Sequence, residues 1–257
     1  GAPPGGWGPP PPGGGPPGGG WGGPPPGPGF ELPSPFAERA TRGFLSSFFE
    51  TWKLVATQPQ EFFRRVRIDQ SGSAILFGVI ASTVGSAVAG LYSWLSGAQA
   101  AAAFEKMMEG ASEEQARFIR MYVEALPTLT IAQVVLTPLL AVVGFYLTAA
   151  ILHLLLMLFR GAHRGFDGTL TVVAYAGGLN LLNAIPGCGA AIALVWGLVV
   201  LVIGLGEAQR CGQGKAAAVV LAPAALVCVC CCAALGLTAP ALLQGVGEAA
   251  KQGTVKL

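Results

Sequence analysis

Charge is scarce in this chain. Of its 257 residues, 15 are Lys or Arg and 13 are Asp or Glu, well under the roughly one in four usual for a soluble domain. So few solvated groups could not cover a globule of this size, which excludes an ordinary water-facing fold. The acids and bases also leave long gaps: none falls at 72–100, 168–206 or 216–247, and across 125–159 His153 is the only imidazole or charged side chain.

Histidine is scarcer still, with two residues, His153 and His163. There is no H-E-x-x-H, no G-x-S-x-G and no Walker loop, and no uncharged stretch contains a pair of acids. The nucleophile, metal and phosphate arrangements of common enzymes are therefore missing, as is the intramembrane acid of an ion-driven pump. No catalytic activity, cofactor, metal ion or nucleic-acid partner is expected. His153 falls near one end of a long apolar run, where a hydrogen-bonded histidine is the simpler reading.

What the chain has instead is apolar length. Uncharged runs of 18 residues or more read as membrane spans, because a helix needs about 20 residues to cross ~30 Å of hydrocarbon. Five spans are predicted, at about 73–95, within 127–159, at 169–185, 190–206 and 216–237. The second run exceeds one perpendicular crossing and must tilt, begin in the interface or bend at Pro138. The fold class is therefore all-α: a polytopic integral membrane protein with five transmembrane helices.

Cysteine is concentrated: Cys228, Cys230, Cys231 and Cys232 supply four of the six. On a helix Cys228, Cys231 and Cys232 share a face while Cys230 points elsewhere. One straight helix cannot wrap a tetrahedral ion with four thiolates, and neighbours on one helix pair poorly as disulfides. Reduced cysteine is a small hydrophobe that packs well, so the run is read as packing.

Outside the spans, residues 1–29 are Gly and Pro apart from Ala2, Trp7 and Trp21. The stretch 1–35 is predicted to be a disordered tail, either linker or docking segment for a proline-recognising partner. In residues 42–69, Phe44, Leu45, Phe48, Phe49, Trp52 and Val55 form one apolar helical face, and Pro59 suits the first turn of a second helix. That helix carries Phe62 and Phe63 beside Arg64, Arg65 and Arg67. Trp52, these two phenylalanines and the three arginines fit the headgroup layer, where rings sit at the boundary and guanidinium meets phosphate. The alternative is that this segment packs on the membrane domain, 73–237; the two are compatible. A separate amphipathic helix is predicted over 107–126, with Ser112 and Gln115 as a capping box. Residues 238–257 form a C-terminal tail.

Within the spans, Gly78, Ser82, Ser86 and Gly90 recur every four residues, a stripe that lets helices approach closely, and Ala193 and Gly197 extend the theme to the fourth span. The third span places Gly177, Asn180 and Asn183 on one face, with a glycine pair that could loosen the helix. Uncharged amides at this depth usually bond helices together. Their alternative is a polar lining for a ligand or lipid headgroup. Arg160 and Arg164 lie in one short loop, and Arg210 and Lys215 in another. Together with the arginines before the first span, they predict a cytoplasmic N-terminus.

An aromatic-rich "FFETWKLVATQPQEFF" precedes the first span. "TLTVVAYAGGLNLLNAIP" forms the third, "ALVWGLVVLVIGLGEAQ" the fourth and "GKAAAVVLAP" opens the fifth. This order resembles the Yip family, the Ypt/Rab-interacting membrane proteins and their bacterial relatives, over about residues 44–237. The resemblance implies membrane lipids, other membrane proteins or further copies of the chain as partners, with GTPase binding in eukaryotic members. D-L-x-G-P is not found, and Tyr175 follows Ala174 where those members have G-Y-x-x-x-P, so GTPase binding maps to no residue. The pattern is nearer the bacterial branch, which places the chain in a bacterial inner membrane. The function read from the whole is non-enzymatic, through protein contacts in membrane organisation or traffic-like processes. A channel or small-molecule transporter subunit, with a polar path in the third span, is the alternative.

Overall fold

The computed structural model describes residues 31–96, 113–223 and 225. The Gly/Pro tail up to residue 30, Ser112 of the capping pair, the cysteine run and residues 238–257 lie outside them. The helical unit begins at Leu32.

Leu32, Ser34 and Pro35, inside the 1–35 stretch, take part in the fold. Leu32 pairs in parallel with Val66: its N–H donates to the Arg65 carbonyl at 2.7 Å, and Arg67 N–H returns to the Leu32 carbonyl at 3.0 Å. Ser34 then caps a 3-10 turn, Pro35–Glu38, by accepting from Ala37 N–H at 3.0 Å, the usual work of serine at that position. A short α1, Arg39–Arg42, ends at Gly43, whose φ of 87° redirects the chain into α2, Phe44–Thr57. Pro59 opens α3, Pro59–Arg65.

Helix α4, Ser71–Leu95, follows. Next is α5, Glu113–Leu158, continuous over 46 residues with Pro127 and Pro138 inside it. The expected boundary between an outer amphipathic helix and the second span is thus absent among the described residues. Proline there does not end the helix. Thr130 and Thr137, within a turn of the two prolines, donate from their hydroxyls to the carbonyls of Leu126 and Gln133 at 2.9 and 2.7 Å.

The third apolar segment is not one helix. It runs as α6, Gly165–Ala176, and then tightens into a 3-10 helix, Gly177–Ala184. The change begins at the glycine pair. A Cβ on Gly177 would sit 2.5 Å from the Phe145 ring, and one on Gly178 would sit 2.3 Å from Phe77. Close approach of two aromatic rings to bare backbone fixes this turn. After Pro186 and Gly187 come α7, Gly189–Ala208, and α8, helical over 213–223.

Phe36, Phe48, Phe62, Phe77 and Tyr175 form the aromatic centre. Phe48 and Phe77 centroids are 4.9 Å apart, Phe62 and Tyr175 5.0 Å, and Phe77 and Tyr175 5.6 Å. This cluster joins the N-terminal segment to α4 and α6. At the same end the loops after α5 and α7 meet. Gln209 is fully buried; its side-chain N–H₂ donates to Gly165 O at 2.8 Å and Thr169 Oγ1 at 3.0 Å, while its Oε1 accepts from Arg164 N–H at 2.8 Å. Lys215 Nζ reaches Arg160 O at 3.4 Å, and Gln60 donates to Glu207 at 3.0 Å.

Candidate functional site

The small residues of α4 meet two different neighbours. A Cβ added at Gly78 would lie 2.3 Å from Ala174 O. Ser82, a turn on, is buried; it accepts from Asn180 Nδ2 at 3.0 Å and reaches Gly177 O at 3.5 Å. Gly85, which the four-residue spacing passed over, is the tightest point, since a Cβ there would sit 2.1 Å from Asn180 O. Gly90 instead faces α5, with Thr130 and Val134 at 3.3 and 3.0 Å from such a Cβ. The contact line against α6 and the 3-10 helix therefore runs 78, 82, 85, the drift expected of 3.6 residues per turn.

Ser86 and Asn183 contact neither helix tightly. They line a cleft between α4, α5 and the 3-10 helix, made of two hollows of about 410 and 510 Å³ that share Ser86, Gln133 and Asn183. Thr137, Thr148 and Asn180 extend its polar wall inward, and Ser93 and Ser96 extend it to the mouth beside Pro186 and Gly187. The inner end is closed by Phe145, buried against Gly78 and Gly177. Hydroxyls and amides make up about half of the lining, and among the described residues no Asp, Glu, Lys, Arg or His lines either hollow. Such a wall can hydrogen-bond an uncharged polar group and offers no counter-charge to an ion.

The six residues singled out for the membrane interface divide. Phe62 and Phe63 are fully buried, and Arg65 is buried with its guanidinium 2.6 Å from Glu61. Arg64 also pairs with Glu61, and Arg67 with Asp69 at 2.6 Å; both arginines are outside the core. Trp52 is half-buried and its indole N–H donates to Gly178 O at 3.1 Å. Sequence periodicity located one face of α2, but the helix has two apolar edges. Phe48, Leu54 and Val55 pack inward, whereas Phe44, Leu45 and Phe49 are 48%, 67% and 57% exposed.

Several positioning residues carried no signal of their own in the sequence. Tyr175 donates to Ser34 Oγ at 2.6 Å, Phe36 N–H to Thr51 Oγ1 at 2.9 Å, and Trp196 to Ala56 O at 2.9 Å. His153 Nδ1 lies 3.0 Å from Thr169 Oγ1, so it is a hydrogen-bonded histidine joined to the Gln209 hub.

Three helices among the described residues, Ile68–Leu95, Val123–Leu158 and Gly189–Ala208, are long and apolar enough to cross a membrane. With their outward faces of Leu, Val and Ile, they define an α-helical membrane protein. The family model for the Yip1 domain matches residues 52–235, and the chain belongs to that family. Comparison with curated proteins and with solved structures gives no match.

Proposed function

We propose that this chain is a five-span Yip-domain protein of a bacterial inner membrane, with a cytoplasmic N-terminus, acting without catalysis through protein contacts that organise the membrane. The supporting observation is a platform. Residues 32–67 are bolted to the membrane helices by Trp52 and Trp196, while Phe44, Leu45 and Phe49 stand exposed along one edge. Exposed aromatic edges of this kind mark contact sites. Arg64 and Arg67 flank the platform and suit an anionic surface.

Two further spans complete the count. The 12 α-helical and eight 3-10 residues of 165–184 together reach across ~30 Å of hydrocarbon. The helix at 213–223 leads into the uncharged run 216–247. The basic loops gathered at the α3 end favour the cytoplasm for that side. A GTPase partner rests on family kinship alone. The alternative, a channel or transporter subunit, draws on the polar wall at Asn180 and Asn183; the Phe145 plug weighs against it.

Cross-linking in intact membranes tests the reading. Wild-type protein should capture discrete partners, and Phe44→Ser with Phe49→Ser should lose them while the fold persists. Solute flux through purified protein in liposomes, with no partner captured, would reverse the preference.

A further inference from the structure

We propose that the cleft between α4, α5 and the 3-10 helix seats the uncharged, hydroxyl-bearing head of a membrane lipid. Its volume, about 410 and 510 Å³ in the two hollows, lies in the range of ligand sites.

The chemistry of the wall selects the head. Asn180 is occupied by Ser82, but the side chains of Gln133 and Asn183, either side of Ser86, make no hydrogen bond to another described residue and face the shared part of the cleft. Each amide offers two donors and an acceptor. Ser86 lies ten residues before Ser96 at the mouth, about 15 Å down α4. A phosphate brought to that depth would lose its water and gain no cation from the described residues, among which no Lys, Arg or His lines either hollow. A hydroxyl group could exchange its water bonds for those of the amides at little net cost.

The surroundings select a lipid over a free solute. Gln133 and Thr148 are solvent-accessible side chains on the outer surface of α5, set among exposed Leu136, Leu139, Leu140 and Leu147. The cleft is thus open sideways toward the region of acyl chains, and the Phe145 plug stops passage along the helices. A molecule with a polar, uncharged end and apolar tails matches both features.

The test uses the full chain in phosphatidylcholine nanodiscs containing a diacylglycerol with a diazirine near its glycerol end. After photolysis, label should concentrate in peptides covering 86–96, 133–148 and 183–190. Excess unlabelled diacylglycerol should compete, and phosphatidic acid with the same chains should not. Asn183→Leu should lower labelling about five-fold, the loss of roughly one good hydrogen bond. Ser93→Phe, at an exposed position in the mouth, should lower it similarly and touches no buried contact, so it decides the matter if the first variant fails to fold. Three results overturn the proposal: label no denser than on the exposed face of α7 at Ile192 and Val195, competition by phosphatidic acid, or cross-links showing that residues 226–237 of the same chain fill the cleft.

Discussion

The indole N–H of Trp52 donates to the carbonyl of Gly178 at 3.1 Å, across 126 residues of sequence and at the point where α6 has given way to the 3-10 helix. A side chain from the N-terminal segment holds that carbonyl. Removing the bond while keeping the ring, Trp52→Phe, should cost about 1 kcal/mol. Thermal unfolding in detergent should show a lower midpoint, and Trp196→Phe, which frees Ala56 O, should add to it nearly independently.

Tyr175 and Ser34 form a buried hydroxyl pair at 2.6 Å. Tyr175→Phe leaves the Ser34 hydroxyl with its Ala37 N–H alone, and Ser34→Ala strands the Tyr175 hydroxyl and removes the cap; each should cost about 1–3 kcal/mol. The double variant should cost clearly less than the sum of the two. Strict additivity in a double-mutant cycle would show that the two hydroxyls do not depend on each other.

Gly85 and Gly197 make a matched pair of helix glycines. A methyl at Gly85 would lie 2.1 Å from Asn180 O, whereas one at Gly197 meets nothing within 4 Å. Gly85→Ala should destabilise by about 1–3 kcal/mol through overpacking. Gly197→Ala should be neutral or slightly stabilising, since alanine favours the helix. Equal melting points for the two variants would refute the packing described for α4.

Gln209→Ala should be among the costliest single changes. It strips bonds from Gly165 O, Thr169 Oγ1 and Arg164 N–H together, and we expect a loss of about 3 kcal/mol. Unfolding midpoints of this variant against Gln213→Ala give the comparison.

Cys188 is exposed and Cys211 only partly so, and burial pushes the Cys211 thiol above its ordinary value. Its thiolate therefore appears at higher pH than that of a free cysteine. The folded chain holds this proton more tightly than the unfolded chain. The site's contribution is thus constant below the ordinary thiol value and falls as pH rises past it. Mass-spectrometric mapping of alkylation should find Cys211 slower than Cys188 at neutral pH, with the gap narrowing in alkali. With an impermeant reagent, the proposed topology has Cys188 labelled from outside and Cys211 from the cytoplasm.

Much of the fold was legible because its apolar runs are long. The expected 73–95 and 190–206 match Ser71–Leu95 and Gly189–Ala208 closely, since an uncharged run leaves few places for a helix to end. Proline misled at Pro127: the helix Glu113–Leu158 runs through it, and nothing local distinguishes a proline inside a long helix from a stop. The glycine pair at Gly177 was readable as a loosening, but its direction was not, because it depends on Phe77 and Phe145 arriving from other helices. Composition gave Phe62 and Phe63 two homes, lipid or core. Their burial comes from Tyr175 beside Phe62 and the bare backbone of Gly204 beside Phe63, contacts with no periodic signature. The cleft was half legible: Asn183 stood out as an amide in an apolar run, while Gln133 on α5 did not, because nothing in sequence relates the two helices.

The 3-10 helix Gly177–Ala184 also changes how far a given length of chain extends. Eight residues advance about 16 Å in that form and about 12 Å as an α-helix. With α6, the segment reaches about 34 Å using 20 residues, close to the roughly 37 Å of the 25-residue α4 beside it. In the proposed five-span arrangement, neighbouring strokes of unequal residue count thereby have similar length, and the bilayer around them need not thin to meet the shorter one.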